Sequence, residues 1–147
     1  VVVVVERSVV SLQHMQIGEV AERVGLSLRT IRYYEEVGLV RPSARTTGGF
    51  RLYTEPDVAR LRLVKRMKTL EFSLEEMGDL LGVLDRLDEP ETDPELRTES
   101  IERLVTFRVL AQERCADLRS QLETAESFAA DLRGEISRQR RRVKEVR

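Results

Sequence analysis

The sequence predicts a mainly α-helical protein: a winged helix-turn-helix head with a small β-hairpin wing, followed by a long coiled-coil dimerisation helix. Three observations carry that prediction. Two short amphipathic patterns meet across Gly25 with almost no chain between them, which is the spacing of a helix-turn-helix. A Gly48-Gly49 pair sits between residues of good strand propensity and marks a hairpin. From Ile101 onward, apolar residues return at alternating steps of three and four.

Residues 1–14 open with five valines, then Glu6 and Arg7, then Val9-Val10-Ser11-Leu12. They lack the basic start and continuous apolar run of a signal peptide. This leader is therefore expected to be disordered or an upstream extension, with Met15 as the working start. Ile17, Val20, Ala21 and Val24 then fall at i, i+3, i+4 and i+7, and Gly25 ends that helix. Ser27 is the N-cap of the next one, because its hydroxyl can accept a bond from a first-turn amide, and Gly38 is its stop. Between them Leu28 and Ile31 are assigned to the core. Arg29, Arg32, Tyr33 and Glu36 line the opposite side. So small a helix pair cannot bury its own core and needs a third partner.

Pro42 breaks any helix, and Arg45 and Arg51 place positive charge on both arms of the hairpin that follows. Thr54 with Asp57, and Pro56 in the first turn, open another helix. Val58, Leu61, Val64 and Leu70 are its apolar side, and Arg60, Arg62, Lys65, Arg66 and Lys68 form a basic surface run. Phe72 precedes a capping box of the S-x-x-E type, Ser73 with Glu76, which starts a helix through Met77, Leu80, Leu81 and Leu84. Residues 15–84 are thus one domain, and the acidic, twice-prolined stretch 85–94 reads as a hinge.

Residues 95–147 form the dimerisation helix and a basic tail. Position a falls on Ile101, Arg108, Cys115, Leu122, Ala129, Ile136 and Val143, and position d on Leu104, Ala111, Leu118, Ala125, Leu132, Gln139 and Val146. Arg108 and Gln139 interrupt the seam, and Gly134 weakens the pattern beyond Leu132. A seam of this kind has no partner within one short chain and calls for a second protomer.

The composition of the 147 residues, 41% hydrophobic and 35% charged, is that of a charge-rich globular chain, with no apolar run approaching a membrane span. The net charge of -1 conceals segregation. Residues 15–70 hold 11 Lys/Arg against 6 Asp/Glu, residues 71–131 hold 6 against 17, and residues 132–147 hold 7 against 2. A basic head on an acidic body suits a polyanion-binding module joined to a part with another task. An Arg/Arg/Tyr stripe on a short helix fits the DNA major groove, where guanidinium groups meet phosphates or guanine edges and a phenol reaches a phosphate.

An enzyme is not expected. The only histidine is His14, in the leader, and there is no Ser/His/Asp set, phosphate-cradling loop or metal-ligand cluster, so no cofactor or metal is called for. The single cysteine, Cys115, excludes an intrachain disulfide and points to a reducing, cytoplasmic compartment. At an a position between Ala111 and Leu118, a packing role for Cys115 is favoured over a metal or redox switch, since a soft metal needs several such ligands.

Several motifs stand in a telling order: Met15-Gln16-Ile17-Gly18-Glu19-Val20-Ala21, Thr30-Ile31-Arg32-Tyr33-Tyr34-Glu35, Gly38-Leu39, Gly49-Phe50-Arg51-Leu52-Tyr53 and Leu70-Glu71-Phe72-Ser73-Leu74-Glu75-Glu76. Together they resemble the MerR family of bacterial transcriptional regulators, over about residues 15–84. The resemblance implies a homodimer joined by an antiparallel coiled coil. That dimer would bind an inverted-repeat promoter operator in double-stranded DNA and distort an over-long spacer so that RNA polymerase engages both promoter elements. It also implies Thr30, Arg32 and Tyr33 on the recognition helix and Arg51 and Tyr53 on the wing as DNA contacts, to which the stripe adds Arg29. Tyr33 and Arg51 are expected on phosphates, with Arg29 or Arg32 nearest base edges; Tyr34 is expected beneath the helix. Metal-sensing members carry several cysteines and drug-sensing members a large ligand domain. Neither pattern is matched here, so no effector is named. Two rival readings keep part of this plan: an architectural or recombination accessory DNA-binding protein, and a coiled-coil adaptor with a basic head.

Overall fold

In the computed structural model, which describes residues 14–147, the elements run β1 (Met15–Gln16), α1 (Ile17–Val24), α2 (Leu28–Glu36), β2 (Ala44–Arg45), β3 (Arg51–Tyr53), α3 (Glu55–Thr69), α4 (Leu74–Asp88) and α5 (Pro94–Glu145). The chain forms two compact units, one up to Ser100 and one of Ile101–Arg147. The leader expectation lies outside the described residues except for His14, which is exposed just ahead of β1.

The helix-turn-helix is set by its ends. Gly25 takes the left-handed conformation that closes α1 (φ 73), and Leu26 N–H donates back to the Ala21 carbonyl at 3.2 Å. Ser27 Oγ accepts from Thr30 N–H at 3.1 Å and so caps α2. At the other end Gly38 (φ 81) donates to Glu35 and Leu39 to Tyr34, at 3.0 and 2.9 Å, which is the paired bonding of a Schellman stop. Ile31 is fully buried, but Leu28 is 40% exposed, and Tyr34 takes the core place expected of it. Leu28 is the first helical residue, so it stands at the rim, whereas Tyr34 lies one turn past Ile31 on the same side.

The wing is part of a three-stranded antiparallel sheet in the order β1-β3-β2, with Met15 opposite Tyr53 and Arg45 opposite Arg51. The hairpin closes where Thr46 N–H donates to the Phe50 carbonyl at 2.8 Å, and Gly49 (φ 82) supplies the left-handed turn residue. Strand β1 is only two residues long and too short to show alternation in sequence. It ties the start of the head to the wing.

Helix α3 has the Thr54–Asp57 capping box and buries Val58, Leu61, Val64 and Met67. Met67 replaces Leu70 as the last core residue because the helix stops there: Glu71 adopts φ 59 and Phe72 N–H returns to the Met67 carbonyl at 3.1 Å. Ser73 and Glu76 form the capping box of α4, which buries Met77, Leu81 and Val83. Leu80 and Leu84 are only half-buried, and Val83, outside the expected stripe, is buried in their place.

The stretch 85–94 differs from the expected hinge. Its first four residues continue α4, and Asp85 accepts an ion-paired bond from Arg60 Nη1 at 2.6 Å. Residues 89–93 make a built turn: Thr92 Oγ1 donates to the Arg86 carbonyl at 2.5 Å, and Arg97 from α5 donates to the carbonyls of Leu87 and Glu89 at 3.2 and 3.1 Å. The last carbonyls of α4 are thus satisfied by side chains.

In the second unit α5 continues without a break through Arg108, Gly134 and Gln139 to Glu145. Its seam positions Ile101, Leu118, Leu122, Leu132, Ile136 and Val143 are exposed, and so are Val105, Val109 and Phe128 off the seam.

Gly25 gives a direct test of the turn. A Cβ there would stand 2.9 Å from Lys65 Nζ, which donates to the Val24 carbonyl at 3.0 Å. Gly25→Ala is expected to lower stability by about 1–2 kcal/mol, from left-handed strain in a residue with a Cβ. The shift in urea midpoint measures it.

Candidate nucleic-acid interface

Helix α2 presents Arg29, Arg32 and Tyr33 outward, with Tyr33 46% exposed, while Ile31 and Tyr34 hold its other side in the core. The Tyr33 ring rests on Tyr34, centroids 5.9 Å apart at 45°, so the exposed phenol stands on a buried one. Burial pushes the Tyr34 phenol up, with Tyr33 adding to the shift. Thr30 is half-buried, and its hydroxyl lies 2.8 Å from Ser27 Oγ, which makes it part of the cap. An open groove of about 450 Å³ runs beside this face, lined by Arg29, Thr30, Tyr33, Lys68, Phe72 and Leu74 among others. It brings the α3–α4 junction next to the stripe, and with it Lys68, which the sequence placed only in a general basic run.

That run is divided by the fold. Arg60 is turned inward, its Nε donating to the Leu39 carbonyl at 2.7 Å and its Nη1 to Asp85. Lys65 caps α1 through the Val24 carbonyl. Arg62, Arg66 and Lys68 remain exposed. The head's outward positive charge is therefore smaller than its lysine and arginine count.

The wing residues meet at a carboxylate that sequence reasoning did not single out. Glu35, on the last turn of α2, accepts from Arg51 Nε at 2.6 Å and from Tyr53 Oη at 3.1 Å through Oε2, and from Arg45 Nη2 at 3.4 Å through Oε1. Arg45 Nη1 also donates to the Gly49 carbonyl at 3.1 Å. Arg51 is half-buried, with one edge of its guanidinium committed to Glu35.

Tyr53 must be corrected. It is 0% exposed and its hydroxyl is spent on Glu35, so it is a core residue rather than a DNA contact. Residues 51 and 53 share a strand face, and that face is turned toward α2. The longer arginine still reaches the surface while the phenol ends inside. Burial, then the Glu35 carboxylate, raises the Tyr53 phenol far above its ordinary value. A sequence signal did exist: an acid in the last turn of a helix, where the helix dipole disfavours it, suggests a cationic partner.

Residues 15–82 match the family model described as MerR HTH family regulatory protein. The HTH-type transcriptional regulator ZntR of Escherichia coli (strain K12) is 34% identical over 117 residues, covering 80% of this chain and 74% of that protein. The chain belongs to the MerR family. The mercuric resistance operon regulatory protein of Bacillus cereus is 48% identical over 71 residues, 48% of this chain and 54% of its own length. This MerR-family chain thus spans about half the length of the first curated relatives it matches. HiNmlR, a MerR family regulator lacking the sensor domain and bound to promoter DNA, matches with a TM-score of 0.61 at 21% identity, over 80% of this chain and 89% of that one. At that identity the likeness is one of fold.

The buried phenol predicts an alkaline weakness. In the unfolded chain Tyr53 ionises near its ordinary value of 10.0, whereas in the fold it stays protonated well above that. Its contribution is therefore complete below pH 10.0 and is lost as the pH climbs beyond it. Urea midpoints from about pH 8 to about pH 11 should fall, and Tyr53→Phe should fall less steeply, from a starting stability lower by about 1 kcal/mol for the lost hydrogen bond.

Proposed function

We propose that this chain is a DNA-binding transcriptional regulator, not an enzyme, that acts in the cytoplasm as a homodimer on an inverted-repeat promoter operator. Its dimer would bend and untwist the promoter spacer so that RNA polymerase engages both elements. The observation that carries this reading is the outward face of α2, where Arg29, Arg32 and Tyr33 stand exposed on a helix whose other side is locked into the core. Guanidinium groups on a rigid helix suit phosphates and guanine edges. Arg51 from the wing is assigned to a phosphate, and Thr30 to the cap that fixes the start of the reading helix.

The exposed seam of α5 supports the dimer. Ile101, Leu118, Leu122, Leu132, Ile136 and Val143 keep heptad spacing on a continuous helix, and such a stripe is covered by a second copy. Two-fold symmetry in the protein is mirrored in the site as an inverted repeat. Among the described residues no helix is long and apolar enough to cross a membrane.

Cys115 is half-buried on the heptad seam, and among the described residues no three His, Cys, Asp or Glu side chains group to hold a metal ion.

Arg32→Ala is expected to weaken operator binding by about 1–3 kcal/mol if a bidentate contact is lost. Equilibrium titration at physiological salt checks it, and an unchanged affinity would remove Arg32 from the reading face. Leu122→Asp, which places a carboxylate in the seam, should shift the protein from dimer to monomer in sedimentation at micromolar concentration. A dimer that survives this change would locate the interface elsewhere.

A further inference from the structure

Glu35 is an acid at the centre of a surface read here as meeting a polyanion, and its position is costly on two counts. It lies in the last turn of α2, where the helix dipole opposes negative charge, and its side chain is only 14% exposed. Both costs are offset by the wing. Arg45 and Arg51 face each other across β2 and β3, a pairing of like charges that is unfavourable by itself, and the carboxylate accepts from both. Tyr53 Oη, buried with no solvent to turn to, completes the set. A single carboxylate on the candidate reading helix thus collects donors from both strands of the wing.

We propose that Glu35 is a positioning residue that aims the wing arginines beside the reading helix and restrains them from indiscriminate binding to phosphates. The inference rests on the DNA-binding reading above. Arg51, held through Nε by an acceptor at 2.6 Å, presents the rest of its guanidinium in one direction. With the carboxylate gone, Arg51 would lose the acceptor that aims it, Arg45 would keep only its bond to the Gly49 carbonyl, and the pair would carry one more unit of uncompensated charge. Non-specific affinity, which is set by phosphate neutralisation, would rise. Site preference, which depends on fixed geometry, would fall.

The test compares the full-length wild-type protein with Glu35→Gln and Glu35→Asp. The probes are a duplex enriched by the wild-type protein from a random-sequence pool and a scrambled duplex of equal length, each titrated over a salt series. Glu35→Gln should bind the scrambled duplex more tightly, steepen the slope of log K against log salt by about one, and reduce the preference for the enriched duplex by about tenfold. Glu35→Asp keeps the charge but is one methylene too short to hold the same donors. It should keep a slope near that of the wild type and still lose preference. Thermal melts show whether each variant is folded; if Glu35→Gln lacks a cooperative melt, Glu35→Asp carries the test alone. A head that is merely loosened would lose affinity for both duplexes together, and that result, or an unchanged preference in the folded variants, overturns the proposal. A wild-type protein that enriches no duplex overturns the DNA-binding reading itself.

Discussion

A buried phenol and a nearly buried carboxylate join the two halves of the head. Tyr53 belongs to the wing strand and Glu35 to α2: the buried phenol has the carboxylate as its acceptor, and the carboxylate, placed where the helix dipole opposes it, takes donors from Tyr53, Arg51 and Arg45. The bonds from Tyr53 and Arg51 to this carboxylate tie β3 to α2. Strand β1 then follows from β3, since Met15 pairs with Tyr53, and α1 follows from β1 without an intervening residue. The position of the outward face of α2 relative to the wing descends from this contact.

Several cations bond the carbonyls at or just beyond helix ends. Lys65 bonds the last turn of α1, Arg60 bonds the Leu39 carbonyl after α2, and Arg97 bonds the end of α4. Each satisfies a carbonyl that has no partner within its own helix. The basic head is therefore less basic on its surface than in its composition: of the run from Arg60 to Lys68, Arg62, Arg66 and Lys68 are directed outward, and Lys68 borders the groove along α2. Charge that is structural in the head steadies the surface on which the remaining charge is displayed.

The second unit rests on a different constraint. Helix α5 satisfies its own backbone but leaves a stripe of leucine, isoleucine and valine exposed along its length. Apolar surface of that extent on a single helix is stabilised only by another apolar surface. The head, by contrast, has a buried core of its own.

Local signals in the sequence determined most of the elements. Gly25, Gly38, Ser27, Thr54 with Asp57, Ser73 with Glu76 and the heptads act within a few residues of themselves, through backbone conformation, capping bonds and helical periodicity, so they are legible in the order of residues itself. The family resemblance is legible for the same reason, being carried by motifs in order. What crosses between distant segments is not. Tertiary structure alone decided that Tyr53 is core although Arg51, two residues before it, reaches the surface. It also decided that Glu35 gathers the wing, that Arg60 turns inward and Lys65 bonds the end of α1, that the two residues of β1 join the sheet, and that α4 runs on through Asp88. In each case the deciding partner is far away in sequence, and whether a polar side chain meets water or a buried partner depends on packing that periodicity does not encode.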